Sequence, residues 1–126
     1  MIWYTNDINK ITVQNLQGFF VGWAKPPTSE QHYDHLSNCA FFVAALDKER
    51  VVGFISALSD RVGCAYIPLI EVLPDYQKQG IGTELMRRML EILKDISNID
   101  LMCDENVQSF YERFGMKKLS GMGIRR

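Results

Sequence analysis

The sequence predicts an α/β (α+β) domain, with residues 1–126 forming a single unit. Three observations lead there. Short β-branched and aromatic runs recur along the chain. One long segment, residues 80–95, repeats its apolar residues at helical spacing. The chain has 126 residues, 47% apolar and 23% charged, which suits one hydrophobic core.

The elements follow in order. Trp3, Tyr4 and Thr5 open as a strand. Residues 11–23 carry apolar side chains at 13, 16, 19, 20 and 23, a spacing that predicts a helix closed by Pro26-Pro27. Thr28 or Ser29 then caps a second helix ending near Asn38. Residues 40–47 and 51–58 read as two strands of a hairpin turning at Lys48-Glu49-Arg50. Residues 64–73 form a third β-rich run, and Pro68 inside it predicts a bend or an edge because proline cannot donate to a ladder.

Residues 80–95 are the clearest helix. Ile81, Leu85, Met89, Ile92, Leu93 and Ile96 share one face, and Glu84 to Arg88 is a favourable pair on another. A short strand over 99–103, a helix over 107–114 stopped by Gly115, and a last strand over 116–122 complete the chain. Met86, Met89 and Met102 are expected in the core. His32 and His35, on a polar helix, are expected in solvent.

Composition excludes several function classes. Lys+Arg is 14 against 15 Asp+Glu, a formal charge of −1, so the charge balance gives no reason to expect a nucleic-acid partner. The longest apolar stretch, residues 39–46, is eight residues, against roughly 20 for a membrane span. The first residues lack the basic and apolar regions of a signal peptide. Cys39, Cys64 and Cys103 are widely spaced among apolar residues and read as reduced packing residues of a cytoplasmic protein. No metal-ligand spacing occurs, so no metal is expected.

The chemistry lies between Ile70 and Thr83, reading IEVLPDYQKQGIGT. A strand ends at Pro74, a polar loop follows, and Gly80 and Gly82 open the amphipathic helix. The first turn of a helix leaves N–H groups without intrahelical partners, and the macrodipole adds partial positive charge there. Glycines let a phosphate approach that backbone closely. A Walker loop would need Gly-x-x-x-x-Gly-Lys-Ser/Thr, which is absent, and a dinucleotide fingerprint would need a small residue where Leu85 stands. What remains is Gln-x-x-Gly-x-Gly, met by Gln77, Gly80 and Gly82.

That run resembles the acetyl-CoA signature of the GNAT superfamily of N-acetyltransferases, (Gln/Arg)-x-x-Gly-x-(Gly/Ala). The strand before it is similar to the family's fourth strand running into its phosphate loop. Downstream, Phe110-Tyr111-Glu112-Arg113-Phe114-Gly115-Met116 is similar to the family's Phe/Leu-Tyr-x-x-x-Gly-Phe segment. The opening half, with Phe19-Phe20-Val21-Gly22-Trp23-Ala24-Lys25-Pro26-Pro27, looks like small single-domain bacterial members. The resemblance covers essentially the whole chain. It implies a mixed, mostly antiparallel sheet with a splayed parallel strand pair, flanked by helices.

It also implies a function: transfer of acetyl from acetyl-CoA to a primary amine of a small molecule, by direct attack in a ternary complex. The implied cosubstrate is acetyl-CoA, with no metal, no nucleic acid and no membrane; dimers are common among proteins that resemble this one. The backbone of Ile70, Glu71 and Val72 would pair with the pantetheine arm and supply an oxyanion donor. Gln77, Lys78, Gln79, Gly80, Ile81, Gly82 and Thr83 would surround the diphosphate. Tyr111 matches the position of the family's general acid, and a phenol with pKa ~10 is protonated at neutral pH.

Glu71 is the candidate general base, with Asp60, His32, His35 and a water chain as alternatives. Phe20 and Trp23 are candidates for the acceptor wall, although aromatic residues at this spacing also serve as core. Two departures from the family stand out. Asn106 lies five residues before Tyr111, where many members place an Asn seven before, and Asp104 occupies that place here. Gln77 stands where Arg is common, removing a charge for which Lys78 is a substitute. Two further readings remain open: a non-catalytic acyl-CoA sensor, and a peptide or protein N-terminal acetyltransferase.

Overall fold

The computed structural model describes residues 1–126. Six strands and three α-helices form: β1 (Ile2–Thr5), α1 (Ser29–Asn38), β2 (Phe41–Asp47), β3 (Arg50–Ser59), β4 (Cys64–Tyr66), β5 (Ile70–Val72), α2 (Ile81–Ile92), β6 (Asn98–Asp100) and α3 (Gln108–Glu112). The sheet runs β1-β2-β3-β4-β6, with β5 also paired to β3. All pairs are antiparallel except β4 with β6, which are parallel. This is the mixed, mostly antiparallel sheet that the family resemblance implied.

The predicted hairpin forms, with Asp47 opposite Arg50. β3 is long enough to hold two partners. Gly53–Ile55 pair with β5, and Leu58 and Ser59 pair with β4. The run over 64–73 is therefore broken in two where Pro68 lies, as the missing N–H requires. Ile67 still donates to the Asp100 carbonyl at 2.9 Å, while Leu69 turns back and accepts from Ser56 at 3.0 Å. Beyond that point the β4–β5 segment stays with β3 while the chain after β6 forms no ladder with β5, which leaves a gap in the hydrogen bonding between them.

Both faces of β3 are covered, so its residues read as one apolar run rather than an alternation. Residues 51–57 are all buried. One face receives α2 through Ile81, Leu85, Met86 and Met89, each buried. Full burial of such a side chain stabilises by about 1.5–3 kcal/mol. The outer face of α2 holds Glu84 between Arg87 (2.6 Å) and Arg88 (2.7 Å). The other face of β3 receives α1 and the chain before it: Leu16, Phe19, Phe20, His32 and Leu36 pack there with Phe54.

α1 starts where expected. The Thr28 side chain accepts from the Gln31 amide, and Gln31 reciprocates to the Thr28 amide, a capping box.

Several expectations fail for identifiable reasons. Residues 11–23 do not form a helix. Thr12 and Asn15 close a box around a single 3-10 turn, Val13–Asn15. Gly18 (φ 92°) and Phe20 (φ 63°) then take left-handed conformations incompatible with a continuing helix. Residues 116–122 form no strand. Gly115 (φ 87°) redirects the chain, and the Lys, Ser and Gly that follow offer no apolar face, so Leu119 and Met122 stay exposed. Met102 is exposed rather than in the core, Cys64 is exposed, and the strand over 99–103 is confined to Asn98–Asp100. His32 is not in solvent but 1% exposed, because it lies under the aromatic cluster.

Candidate active site

The hydrogen-bond alternation of an antiparallel ladder decides which β5 groups are free. Phe54 lies opposite Glu71, Leu73 donates to the Val52 carbonyl (2.8 Å) and Leu69 accepts from Ser56. Residues 69, 71 and 73 therefore turn their polar backbone toward β3. The N–H groups of Ile70 and Val72 face the gap left by the departing β6 chain. An extended ligand laid in that gap would find the donors and acceptors of a strand edge.

β5 runs directly into the phosphate-type loop. A 3-10 turn, Pro74–Tyr76, follows Leu73, and the Tyr76 hydroxyl donates to Asp47 at 2.6 Å, fixing the turn to the end of β2. The Gln77 side-chain amide donates to the Val72 carbonyl at 2.9 Å, so Gln77 braces the loop. Lys78 (φ 63°) and Gly80 (φ 84°) then alternate handedness, a conformation that gathers successive N–H groups into a concavity. Gly80 is the N-cap of α2 and has no side-chain cap.

The first helical bond is Glu84 N–H to the Gly80 carbonyl, so the six amides of residues 78–83 have no acceptor within the fold. Six adjacent free donors at the positive end of a helix fit a diphosphate.

A cation not singled out in the sequence stands beside this loop. Arg113, following α3, donates to the Thr83 hydroxyl at 2.8 Å, and its guanidinium lies over Phe110 (5.1 Å) and Phe114 (5.7 Å). The signal was present in the Phe-Tyr-x-Arg-Phe-Gly segment, but only the fold brings residue 113 to the first turn of α2.

Tyr111 is half-buried against Phe110, with ring centroids 5.0 Å apart. Burial, reinforced by Cys103, raises its pKa above the ordinary phenol value, so it holds its proton at neutral pH. It lines a groove of 790 Å³ with Tyr66, Asp100 and Cys103, between the β4–β6 pair and α3.

Glu71 points the other way, on the Phe54 face of the sheet. Both carboxylate oxygens accept from the Phe20 amide (2.9 and 3.0 Å), and one also accepts from Val21 (3.3 Å). This bond holds the left-handed residue at 20 and with it the whole 18–23 loop. Glu71, Val21, Trp23, Phe54, Ile70 and Gln77 line a separate depression of 350 Å³. Trp23 is half-exposed at its rim, packed edge-to-face on the buried Phe20 at 5.1 Å. The two predicted catalytic side chains thus line different cavities.

The alternative bases have other partners. Asp60 accepts from the amides of Val62, Gly63 and Cys64, which lowers its pKa and builds the β3–β4 turn. His35 bonds Ser56 at 2.7 Å, and burial lowers its pKa. His32 is buried with neither ring nitrogen partnered, and burial, with a contribution from His35, lowers its pKa to about 4. None of the three lines either cavity.

Comparison with known proteins places the fold. A Deinococcus radiodurans crystal structure, described as a candidate acetyltransferase, superposes with a TM-score of 0.96 at 43% identity, covering 99% of this chain and 88% of that one. An uncharacterized N-acetyltransferase, ycf52, of Porphyra purpurea is 31% identical over 120 residues, 90% of this chain and 68% of its own length. Histone acetyltransferase TAP1 of Glycine max is 32% identical over 111 residues, 77% of this chain and 47% of its own. The chain spans between 55% and 68% of the length of the ycf52 relatives from Pyropia yezoensis, Porphyra purpurea and Gracilaria tenuistipitata. Residues 9–116, which contain the loop of free amides, the open edge of β5 and Tyr111, match the acetyltransferase (GNAT) family, and the chain belongs to it.

Proposed function

We propose that this protein is an N-acetyltransferase acting on the primary amine of a small molecule, by direct attack in a ternary complex. The observation that carries the reading is the run of free amides at residues 78–83, continuous with the open edge of β5. Members of the family use acetyl-CoA, which supplies an activated acetyl thioester on a diphosphate-bearing arm.

The residues present fit such a ligand. The amides of 78–83 would hold the diphosphate, with Lys78 and Arg113 adding charge where Gln77 gives none. Ile70 and Val72 would bind the arm as a neighbouring strand would. A donor from the same pair, aimed at the carbonyl oxygen as negative charge develops, is worth about 3 kcal/mol by comparison with other oxyanion holes. Tyr111 keeps a proton available for the departing sulfur. The amine arrives from the depression under Trp23 and must lose a proton to become neutral. Glu71 is the carboxylate on that side.

Tyr111→Phe tests the reading. It removes the hydroxyl and keeps the ring packed on Phe110. Coenzyme A affinity measured by calorimetry is expected to stay within about twofold. Thiol release from acetyl-CoA with a panel of amines is expected to fall by about 100-fold or more. Undiminished release would remove Tyr111 from the mechanism, and absence of coenzyme A binding would remove the function.

A protein acceptor is favoured by one finding: among the relatives are a histone acetyltransferase and N-alpha-acetyltransferase 30 of Schizosaccharomyces pombe, the latter 29% identical over 84 residues. A peptide panel beside the amine panel separates the two classes.

A further inference from the structure

We propose that the depression under Trp23 selects a small primary monoamine with an apolar, ring-sized body. The proposal rests on the acetyl-transfer reading and names its acceptor class.

The lining contains one acid, Glu71, and no Lys or Arg. A carboxylate offers about four acceptor directions. Phe20 and Val21 occupy Oε2 twice and Oε1 once, so Oε1 retains a direction for an ammonium group. Around it the wall is apolar. Five of the eight lining residues are hydrophobic, and the half-exposed Trp23 ring forms the rim. An indole face attracts a cation and packs against a ring equally well. Carboxylate and indole are also mechanically joined, since Glu71 holds the backbone of Phe20 and Phe20 supports Trp23. Amine head and apolar body would therefore be read by one loop.

Other acceptors fit less well. A polyamine or an aminoglycoside carries several positive charges and would meet a single carboxylate. A phosphorylated sugar would find no cation. An extended peptide needs a groove along several residues, whereas eight residues line this one. The volume, 350 Å³, lies at the small end of ligand sites.

The test is a calorimetric titration of phenethylamine into the full-length protein saturated with coenzyme A, beside spermidine, kanamycin and a lysine-containing peptide. Phenethylamine is expected to bind and the other three to give no saturable heat. Glu71→Gln keeps an oxygen for the Phe20 amide but removes the charge, and Trp23→Ala removes a half-exposed ring. Each is expected to weaken phenethylamine binding by about tenfold, and Trp23→Ala is expected to leave coenzyme A affinity unchanged. Preferred binding of spermidine, kanamycin or the peptide overturns the inference. So does unaltered affinity in both variants, or absence of amine binding to the coenzyme complex. Coenzyme A binding with a different amine preference sinks this inference alone, whereas failure to bind coenzyme A sinks the acetyl-transfer reading as well.

Discussion

His32 makes the stability of this fold depend on pH in a calculable way. It is 1% exposed, surrounded by Phe19 (5.3 Å), Phe20 (4.9 Å) and Phe54 (4.3 Å), and neither ring nitrogen has a partner. Burial in that apolar setting, with a smaller contribution from His35, holds its pKa at about 4, against 6.5 for a free imidazole. The folded-state value lies below the unfolded one. As pH falls through 6.5 the unfolded chain takes up the proton first, and the fold loses stability until the native pKa is passed.

At 1.36 kcal/mol per pH unit, the loss from this residue is about 2 kcal/mol by pH 5 and approaches ~3 kcal/mol below pH 4. His32→Leu removes the titration and retains an apolar side chain of similar bulk. Urea denaturation followed by circular dichroism, at intervals from pH 7.5 to 4.5, gives stability curves for both proteins. Their difference is expected to grow in favour of the variant by about 2 kcal/mol between pH 7.5 and 5. His35 titrates in both and largely cancels. Curves that stay parallel within about 0.5 kcal/mol would refute the reasoning, because they would mean that His32 finds a partner or water when protonated.

Four further outcomes follow from the site and the core. Arg113→Ala is expected to weaken coenzyme A binding about tenfold and to flatten its salt dependence, measured by calorimetry at low and high ionic strength. Gly80→Ala forces a Cβ onto a residue at φ 84°. It should cost about 1–2 kcal/mol in thermal unfolding and reduce coenzyme affinity at the same time, since the left-handed N-cap shapes the cradle. Leu85→Ala, in the fully buried α2 face, should cost about 2–5 kcal/mol in urea denaturation. Because burial raises the Tyr111 pKa, the rate should not decline through loss of its proton until above pH 10, read from the alkaline limb of the pH profile.

Much of the fold was legible because local physics decides it. The period of α2, the Thr28 cap, the hairpin at Lys48 and Glu49 and the break at Pro68 each follow from a residue acting on its own neighbourhood, and each is found. The loop of free amides was legible for the same reason, since glycines before an amphipathic helix describe free amides whatever surrounds them. Residues 11–23 were misread because their apolar spacing reflects packing onto β3, whose partners lie far away in sequence. A loop can present Leu16, Phe19 and Phe20 to one core as well as a helix can, provided something holds its backbone. That something is Glu71, 51 residues from Phe20.

The chain alone therefore determined the β2–β3 hairpin, α1, α2, the loop of free amides before α2 and the tyrosine that faces the groove, all set by spacing within a few turns or strands. Tertiary structure decided the rest. It gave Glu71 to the Phe20 loop, placed Arg113 beside Thr83, buried His32 among three phenylalanines, and put Tyr111 and Glu71 in separate cavities. Each depends on which face of β3 or β5 a distant segment meets, and a strand's two faces are distinguished only once its partners are in register.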